Sequence, residues 1–457
     1  MHGSPLRNQH DGPPHRCVCA SATDSRRLTD STRILRGERE CQYCGLFQHV
    51  APLQPGESAC CGRCGATLRH GTKDTLARAL PCAVGALFLY VLALQLPFLD
   101  VTAIGHTYRA DLFTGPNELD QGGMWGISAV VVVTLIAMPA VQLFLLVAVL
   151  VGLRAKRPPS GLPFLFGLVE RIRPWSMIEV FLLGVFVAYS RLQAIAEVQV
   201  GPALYALGGM MLCLIAADVE LDHEAVWEAL EERGLLHVRE PPETHRRIGC
   251  DTCRLVLLAP SGWPCPRCGR RLRQRKRQSL VRSWALLAAA TALYLPANFL
   301  PIITVIRFGQ GEPSTIWRGV IELAQANMWP LAILVFLASL TVPLVKLTGL
   351  TSMLLMTHEG SPLWLRPRTM LYRGVDTAGR WSMIDVFMLT VLVALVHMGF
   401  VATVRPGPGA AAFAAVVVLT MLASASFDPR LMWDAALRRG HVDAVAPPST
   451  APVPQAS

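Results

Sequence analysis

Charged residues are scarce in this sequence, where they make up 16% of 457 residues. Soluble domains carry roughly 25% charged residues. Hydrophobic residues account for 52% of the chain, and the mean hydropathy is +0.40. The shortage of charge therefore excludes an ordinary soluble protein and indicates that much of the surface faces lipid.

Two further features are missing. No G-x-x-x-x-G-K-[ST] loop occurs, so the sequence predicts no P-loop nucleotide site, and we expect no enzymatic activity. Residues 1–40 contain no apolar run typical of a signal peptide, and we expect them to form a disordered cytoplasmic tail. The net charge of +10 is compatible with nucleic acid or anionic lipid, but the apolar runs beside the basic clusters favour lipid. We therefore expect no nucleic-acid partner.

Apolar segments long enough to cross a bilayer recur along the chain, and a membrane helix needs about 20 such residues. The runs cover 79–99, 125–153, 176–196, 201–217, 284–306, 328–356, 381–404 and 409–427. Eight helices are predicted. The fourth and eighth runs are short, and a buried re-entrant segment is the alternative for them.

The two halves of the chain are copies of one module. Cys61 and Cys64 recur 204 residues later as Cys265 and Cys268. A Trp-Ser-Met-Ile-acid-Val-Phe segment occurs at 175–181 and again 206 residues later at 381–387. With four helices each, the two copies must have the same orientation in the membrane, as parallel repeats.

Basic residues cluster on one side of the predicted helices. The run from Arg270 to Arg282 and the arginines around 366–380 fall on the side of the cysteine motifs, whereas the opposite loops are mostly acidic. The positive-inside rule then places both termini and both cysteine motifs in the cytoplasm. On the other side, the β-branched stretch around Gly309–Pro313 predicts a hairpin, and the first copy has a weaker version at 101–113.

The predicted fold class is therefore an α-helical polytopic membrane protein with two tandem repeats. Each repeat is a cytoplasmic zinc ribbon plus a four-helix transmembrane bundle with a periplasmic β-hairpin loop. The predicted boundaries are 41–72 and 246–276 for the ribbons, 75–230 and 279–437 for the bundles, and 438–457 for a disordered tail.

Eight cysteines form two pairs of CxxC motifs. Two such motifs bring four thiolates within reach of one ion, and a cytoplasmic location disfavours disulfides. Two structural zinc sites are predicted, with a rubredoxin-like iron site as the alternative. In the first motif pair Cys61 is preferred to Cys60, because the repeat places Pro264 opposite Cys60. The predicted ligands are Cys41, Cys44, Cys61 and Cys64, and then Cys250, Cys253, Cys265 and Cys268.

Three polar residues interrupt the apolar helices of the second half. Ionisable residues within a membrane are costly and mark functional sites. Lys346, Asp385 and Thr420 are expected at roughly 15, 6 and 12 Å from the cytoplasmic side, where they can meet in one bundle. A Lys–Asp pair there can carry a proton relay, and the alternative is a static ion pair that fixes packing. The first copy has Gln142, Glu179 and Leu214 instead, so the second bundle is predicted to hold the working site.

The cysteine motifs, the Pro-x-x-Lys-Leu helix, the repeated Trp-Ser-Met-Ile segment and the Asp-x4-Trp ending together resemble the paraquat-inducible protein A family (PqiA/LetA-like) over residues 41–437. The resemblance implies a bacterial inner-membrane protein that passes lipid to or from a periplasmic MCE-domain protein, as part of a hetero-oligomer. It also implies a polar core at Lys346, Asp385 and Thr420.

Two other functions remain open at this point. A scaffold that anchors a periplasmic complex would need the polar residues only for stability. A cytoplasmic metal or redox sensor would need exposed, labile thiolates.

Overall fold

A computed structural model of the chain describes residues 17–19, 21–22, 35, 37–51, 53–54, 56–71, 75–103, 106–192, 197–235, 244, 246–307, 310–362, 364–395 and 402–439. All structural statements below concern these residues. Most of the predicted tail 1–40 and nearly all of the predicted tail 438–457 lie outside them.

Sixteen helices in the described part of the chain repeat in the same order in the two halves, which confirms the duplication. The first eight are α1 Thr75–Gln95, α2 Thr114–Gln121, α3 Trp125–Val131, α4 Met138–Arg154, α5 Leu162–Ile172, α6 Ile178–Leu192, α7 Pro202–Glu220 and α8 His223–Glu232. Their counterparts are α9 Ser279–Phe299, α10 Ile316–Gln325, α11 Trp329–Phe336, α12 Val342–Glu359, α13 Leu365–Trp381, α14 Ile384–Leu395, α15 Pro408–Ser426 and α16 Arg430–Arg438.

Seven helical spans in the described residues have the length and hydropathy to cross a membrane. They are Arg78–Gln95, Trp125–Arg154, Leu162–Ser190, Pro202–Glu220, Ser279–Phe299, Ala332–Glu359 and Pro408–Ser426. The two short predicted runs are thus full helices, α7 and α15. The predicted seventh run contains the shorter helix α14, and residues 396–401 after it lie outside the described residues.

In the first half the third membrane-capable span begins at Leu162, earlier than predicted, and in both halves the Trp-Ser-Met-Ile segment separates two helices. In the first half, α5 and α6 are separated by one 3₁₀ turn, Arg173–Trp175. In the second half, α13 ends at Trp381 and α14 begins at Ile384. Apolar runs do not reveal α13, since it carries several arginines and packs against α12 and α15.

Short strands form small sheets at both ends of the molecule. In chain order they are β1 Cys17–Cys19, β2 Ser21–Ala22, β3 Glu38–Glu40, β4 Phe47–His49, β5 Ser58–Cys60, β6 Thr67–His70, β7 Leu99–Ala103, β8 His106–Ala110, β9 Glu197–Val200, β10 Arg247–Gly249, β11 Val256–Leu258, β12 Ile303–Arg307, β13 Gln310–Ser314 and β14 Ala402–Pro406.

Both predicted hairpins are present, and each gains a third strand that the sequence did not reveal. β7 pairs antiparallel with β8 and, on its other edge, with β9. β12 pairs in the same way with β13 and β14. The hairpin of the first copy, predicted to be the weaker one, is as regular as that of the second. Strands β9 and β14 precede the last long helix of each half, so pairing fixes the entry of that helix.

The described residues of the two halves share one apolar core. Phe181 in α6 packs edge-on against Phe387 in α14, with ring centroids 5.7 Å apart. Gly184 lies at the same contact, where an added Cβ would sit 3.1 Å from the Cβ of Phe387. The third spans therefore form the seam between the bundles.

Each cysteine ribbon packs on the bundle of the other copy. Cys250 and Cys265 belong to a buried cluster with Phe166 and Trp227 of the first bundle. Cys41 and Cys61 cluster with residues of the second bundle, including Trp433. This exchange was not predicted, because the sequence analysis assigned each ribbon to the bundle that follows it.

Candidate functional site

The eight predicted cysteine ligands form two compact groups. Within each group, the four sulfur atoms lie within 4.8 Å of one another and all four residues are buried. The Cys41–Cys64, Cys44–Cys61, Cys250–Cys268 and Cys253–Cys265 sulfur pairs are each separated by 3.5 Å. A tetrahedral zinc ion with bonds of about 2.3 Å requires sulfur separations of about 3.8 Å. The two groups therefore fit a four-thiolate metal site, and Cys61, not Cys60, belongs to the first.

All four CxxC turns are closed in the same way, by the backbone amide of the residue that follows the second cysteine. The amides of Gly45, Gly65 and Gly269 each donate to the carbonyl of the first cysteine at 2.8 Å. In the fourth turn Arg254 takes this place, donating to Cys250 at 3.0 Å. Arg254 has a φ of +58°, in the left-handed region that favours glycine.

Burial shapes the chemistry of the thiols. In the absence of a cation, burial raises the pKa of the Cys253 thiol well above its ordinary value. Near Cys61, the Gln48 amide donates to the sulfur at 2.9 Å, and its oxygen accepts the amide of Gly62. The Gln48 amide would stabilise a Cys61 thiolate that holds a metal. Thiols that are this enclosed are poorly placed for a sensor that needs accessible sulfur.

A charged cluster fastens the first ribbon to the second half. Arg430, whose side chain is 4% exposed, meets Asp428, Glu40 and Asp251 at 3.0 to 3.1 Å. Burial alone would lower the pKa of Arg430, but the hydrogen bond and charge of Asp428 raise it instead. Burial raises the pKa of Glu40, although Arg430 and Arg275 oppose that rise. Glu40 also accepts the amide of Gly249 in the second ribbon, so one carboxylate joins three parts of the chain.

Lys346 and Asp385 flank the break in the third span of the second half. The Lys346 ammonium is buried and donates to the carbonyl of Gly379 at 3.0 Å. Gly379 is among the last residues of α13, whose carbonyls have no partner within the helix and form its negative end. Asp385 is buried in the first turn of α14, at the positive end of that half-helix. The broken helix thus has a cation at one of its inner ends and a carboxylate at the other.

The 17 residues of α13 lead up to the break beside these two groups. The bond from Lys346 places the end of α13 beside the middle of the second span, not at its ribbon end. Thr420 uses its hydroxyl within its own helix, donating to Val417 at 2.9 Å. The structure therefore joins Lys346 and Asp385 through the helix break, and the Thr420 hydroxyl bonds within its own helix α15.

The counterparts in the first half are arranged differently. Gln142 is buried, and its side-chain oxygen has no hydrogen-bond partner in the described part of the chain. Glu179 also begins a half-helix, α6, but it is exposed. Only the second half buries both groups at the break.

A cavity of about 60 Å³ lies beside Asp385. Its wall is mainly apolar and comes from both halves, with Ile127 from α3 and Phe413 from α15. Ser339 and Asp385 add polar atoms to this wall, whereas Lys346 and Thr420 are not among its described lining residues. The cavity lies under α10 and the sheet formed by β12, β13 and β14, on the side away from the ribbons.

The repeats differ at two positions beside this cavity. The position of Ser339 is occupied in the first copy by Leu135, a larger apolar side chain that is 1% exposed. At Gly115 in α2, an added Cβ would collide with Thr390 of α14. Its counterpart Gly319 in α10 lines the cavity instead. The sequence signal that could have pointed to Ser339 is a serine within an apolar run, at a position where the other copy has a leucine.

Ser339 lies in a widened helical turn that both halves share. π-helical turns occupy Val132–Ala137 and Leu337–Thr341, just before Pro139 and Pro343. Such turns leave carbonyls without regular partners and are frequent at functional sites. Tyr90 donates its hydroxyl to Ile136 at 2.7 Å, and Tyr294 donates to Leu340 at 3.3 Å. The second span is thus irregular at the level of the cavity.

Together these features define a class: a multi-pass membrane protein of two tandem repeats, with two four-cysteine ribbons and a broken third span in each half. The sequence model of the family described as "Paraquat-inducible protein A" matches residues 76–231 and 280–436. The chain belongs to the paraquat-inducible protein A family.

Curated relatives cover nearly the whole chain. The protein named "Intermembrane transport protein PqiA" from Escherichia coli (strain K12) is 33% identical over 402 residues, which are 86% of this chain and 95% of the relative. "Lipophilic envelope-spanning tunnel protein A" from the same strain is 31% identical over 405 residues, 88% of this chain and 92% of the relative. A "Probable intermembrane transport protein" from Haemophilus influenzae is 28% identical over 403 residues, 86% of this chain and 94% of the relative. No solved structure matches the chain.

Proposed function

We propose that this chain is the inner-membrane component of an intermembrane lipid transport system, passing lipid to or from a periplasmic MCE-domain tunnel. The names of its relatives support envelope transport. The observation that carries the mechanism is the broken third span of the second half, with Lys346 and Asp385 at its two inner ends. Discontinuous helices whose ends meet charged groups near the membrane centre are typical of transporter binding sites.

In this proposal, the polar core of the second bundle does the work and the first bundle is mainly a frame. Lys346 offers a cation to an anionic headgroup, and Asp385 offers a carboxylate beside an apolar cavity. A Lys–Asp core can couple lipid movement to protons, with Thr420 as a third polar group of the same bundle. Gln142 and Glu179 are the weaker counterparts.

The test compares lipid handover in cells that carry Lys346→Met or Asp385→Asn with handover in cells that carry Gln142→Leu or Glu179→Gln. We expect the first two substitutions to abolish handover and the last two to preserve most of it, at equal protein levels. A scaffold would need these side chains only for stability. Normal handover with a folded Lys346→Met protein would therefore reject the transport site.

We also propose that both ribbons hold structural zinc and lie in the cytoplasm with both termini, and that the sheets containing β7 and β12 lie in the periplasm. The one-sided basic residues and the closed four-thiolate geometry support this assignment. Reporter fusions at the C-terminus and after Gly309 should show opposite sides of the membrane. Mass spectrometry of the purified protein should find two zinc ions per chain. Finding iron instead would contradict the assignment of zinc.

A further inference from the structure

Helix α10 lies outside the seven membrane-capable spans, and yet it exposes large apolar side chains. Trp317 is 57% exposed and Ile321 is 40% exposed. The two residues are four positions apart, so they are neighbours on one face of the helix. A helix surrounded by water turns polar residues outwards, so this apolar face indicates a partner other than water.

α10 and α11 form a helical hairpin. The chain turns at Asn327, which has a φ of +62°, and the amide of Met328 donates to the carbonyl of Leu323 at 3.0 Å. Leu323 of α10 and Val335 of α11 belong to one buried cluster. α10 therefore runs back alongside α11, and its first turn lies level with the last turn of α11.

The exposed apolar face of α10 continues the lipid-facing surface of the neighbouring span. The ring of Trp317 meets the ring of Phe336 edge-on, with centroids 6.3 Å apart. Phe336 belongs to the span Ala332–Glu359 and is itself exposed, as is Ile333 three residues before it. Phe336 lies seven residues beyond Trp329, about 10 Å along the helix axis. α10 thus begins at a level that the apolar span already occupies.

The charged groups of α10 lie along a separate edge of the helix. Arg318 and Glu322 form an ion pair at 3.0 Å, with side chains 51% and 55% exposed. Each follows Trp317 or Ile321 by one residue, which is about 100° around the helix. The order around α10 is therefore a buried face against α11, an exposed apolar face and a charged edge. This order is typical of a helix that lies where hydrocarbon meets water.

The equivalent helix of the first copy is different. Asn117 in α2 occupies the position of Ile321, and it is exposed. Phe113, at the position of Trp317, is exposed as well but precedes α2. α2 packs on α14 of the second half, in addition to its own α3. The matched difference between the two copies is therefore Ile321 against Asn117.

We propose that α10 is an interfacial helix whose Trp317 and Ile321 lie in the leaflet on the side away from the ribbons, in contact with lipid acyl chains. Lipid is the occupant because this face is continuous with the lipid-facing Ile333 and Phe336. On the other side of α10, Gly319 lines the cavity beside Asp385. α10 therefore separates that cavity from the surrounding leaflet by the thickness of one helix. The lipid contact does not require the cavity to carry cargo.

The test replaces Ile321 of the full chain by the photoreactive residue p-benzoylphenylalanine, in vesicles of phosphatidylethanolamine and phosphatidylglycerol. The same replacement at Ile333 is the control for a span that faces lipid, and the replacement at Asn117 is the matched control in α2. After irradiation, mass spectrometry of the peptides measures lipid adducts. We expect the adduct yield at position 321 to be similar to that at 333 and severalfold above that at 117, because the probe reacts only with acyl chains within its reach.

Irradiation in membranes of the producing cells, where partner proteins are present, separates lipid from protein occupants. Cross-links from position 321 to a second copy or to another protein, in place of lipid, would overturn the proposal. A lipid yield at position 321 no higher than at 117 in the vesicles would overturn it as well. If the probe at position 321 prevents folding, the probe at Trp317 carries the same expectation and the same two contrary outcomes.

Discussion

The guanidinium of Arg63 in the first ribbon lies over the ring of Trp433 in the second bundle, 4.6 Å from its centroid. Arg267 of the second ribbon lies over Trp227 of the first bundle in the same manner, at 5.9 Å. The two arginines are equivalent positions of the repeat, and so are the two tryptophans. Each copy therefore uses its own arginine on the tryptophan of the other copy. Each ribbon therefore connects the two halves of the chain, in addition to stabilising its own loops.

This exchange predicts which helix responds when a metal site is lost. Cys61→Ala should remove one of two bound ions and loosen the second bundle at α16, because the first ribbon packs there. Cys265→Ala should remove the other ion and loosen the first bundle at α8. Hydrogen exchange followed by mass spectrometry, with metal content measured on the same samples, tests both. Each variant is the control of the other, and faster exchange in the helix of the same copy would contradict the exchanged packing.

The CxxC turns predict opposite effects of two substitutions. Gly269 has a φ of +73° and open space where a Cβ would lie, so Gly269→Ala adds only backbone strain of about 1 kcal/mol. Arg254→Gly should relieve similar backbone strain in the fourth turn. The gain in stability is reduced by the loss of the Arg254 hydrogen bond to the Leu68 carbonyl at 3.4 Å. Metal release to a chromogenic chelator should be faster for Gly269→Ala and slower for Arg254→Gly. Equal rates for both would show that backbone strain does not control metal retention.

The Arg430 cluster predicts a large loss of stability. Arg430→Met would leave Glu40, Asp251 and Asp428 facing one another without their shared cation, which should cost about 3–5 kcal/mol. Thermal unfolding of the purified protein measures the loss. Arg277→Ala, at an exposed arginine nearby, should change stability little. A small effect of Arg430→Met would mean that Arg275 and Lys276 suffice to neutralise the cluster.

The cavity beside Asp385 predicts a separation of stability from transport. Ser339→Leu installs the residue of the first copy and should fill the cavity while thermal stability stays the same or rises. Lipid handover should fall if cargo enters this space. The reciprocal change Leu135→Ser opens a space in the first copy and should cost about 2–4 kcal/mol without blocking handover in protein that folds. Undiminished handover by a well-folded Ser339→Leu protein would remove the cavity from the transport route.

Much of the fold followed from local patterns. Long apolar runs predicted the membrane helices, and the short runs that became α7 and α15 were full helices after all. The charged helix α13 could not be found in this way, because its arginines hide a segment that tertiary packing holds beside α12 and α15. Strands β9 and β14 were missed for a similar reason, since four or five residues become a strand only when a hairpin edge is available to pair with them.

The candidate site residues also divide into those that local sequence patterns predict and those that only tertiary packing brings together. The CxxC spacing identified which thiols gather, since that geometry is set by local turns. Hydropathy located Lys346 and Asp385 as costly polar residues, but their relation depends on a helix break that apolar runs do not reveal. Ser339 acquired its meaning only from the empty space where the first copy places Leu135.

By itself, the sequence determined the membrane class, the duplication and the eight cysteines, because periodicity, spacing and repetition are properties of neighbouring residues. Only the tertiary structure decided which ribbon serves which bundle. The repeated arginine and tryptophan make the same contact in either pairing, so their chemistry leaves the choice open. The second ribbon packs on Trp227 and the first ribbon packs on Trp433. The choice therefore depends on how the whole chain packs, which no local pattern of residues encodes.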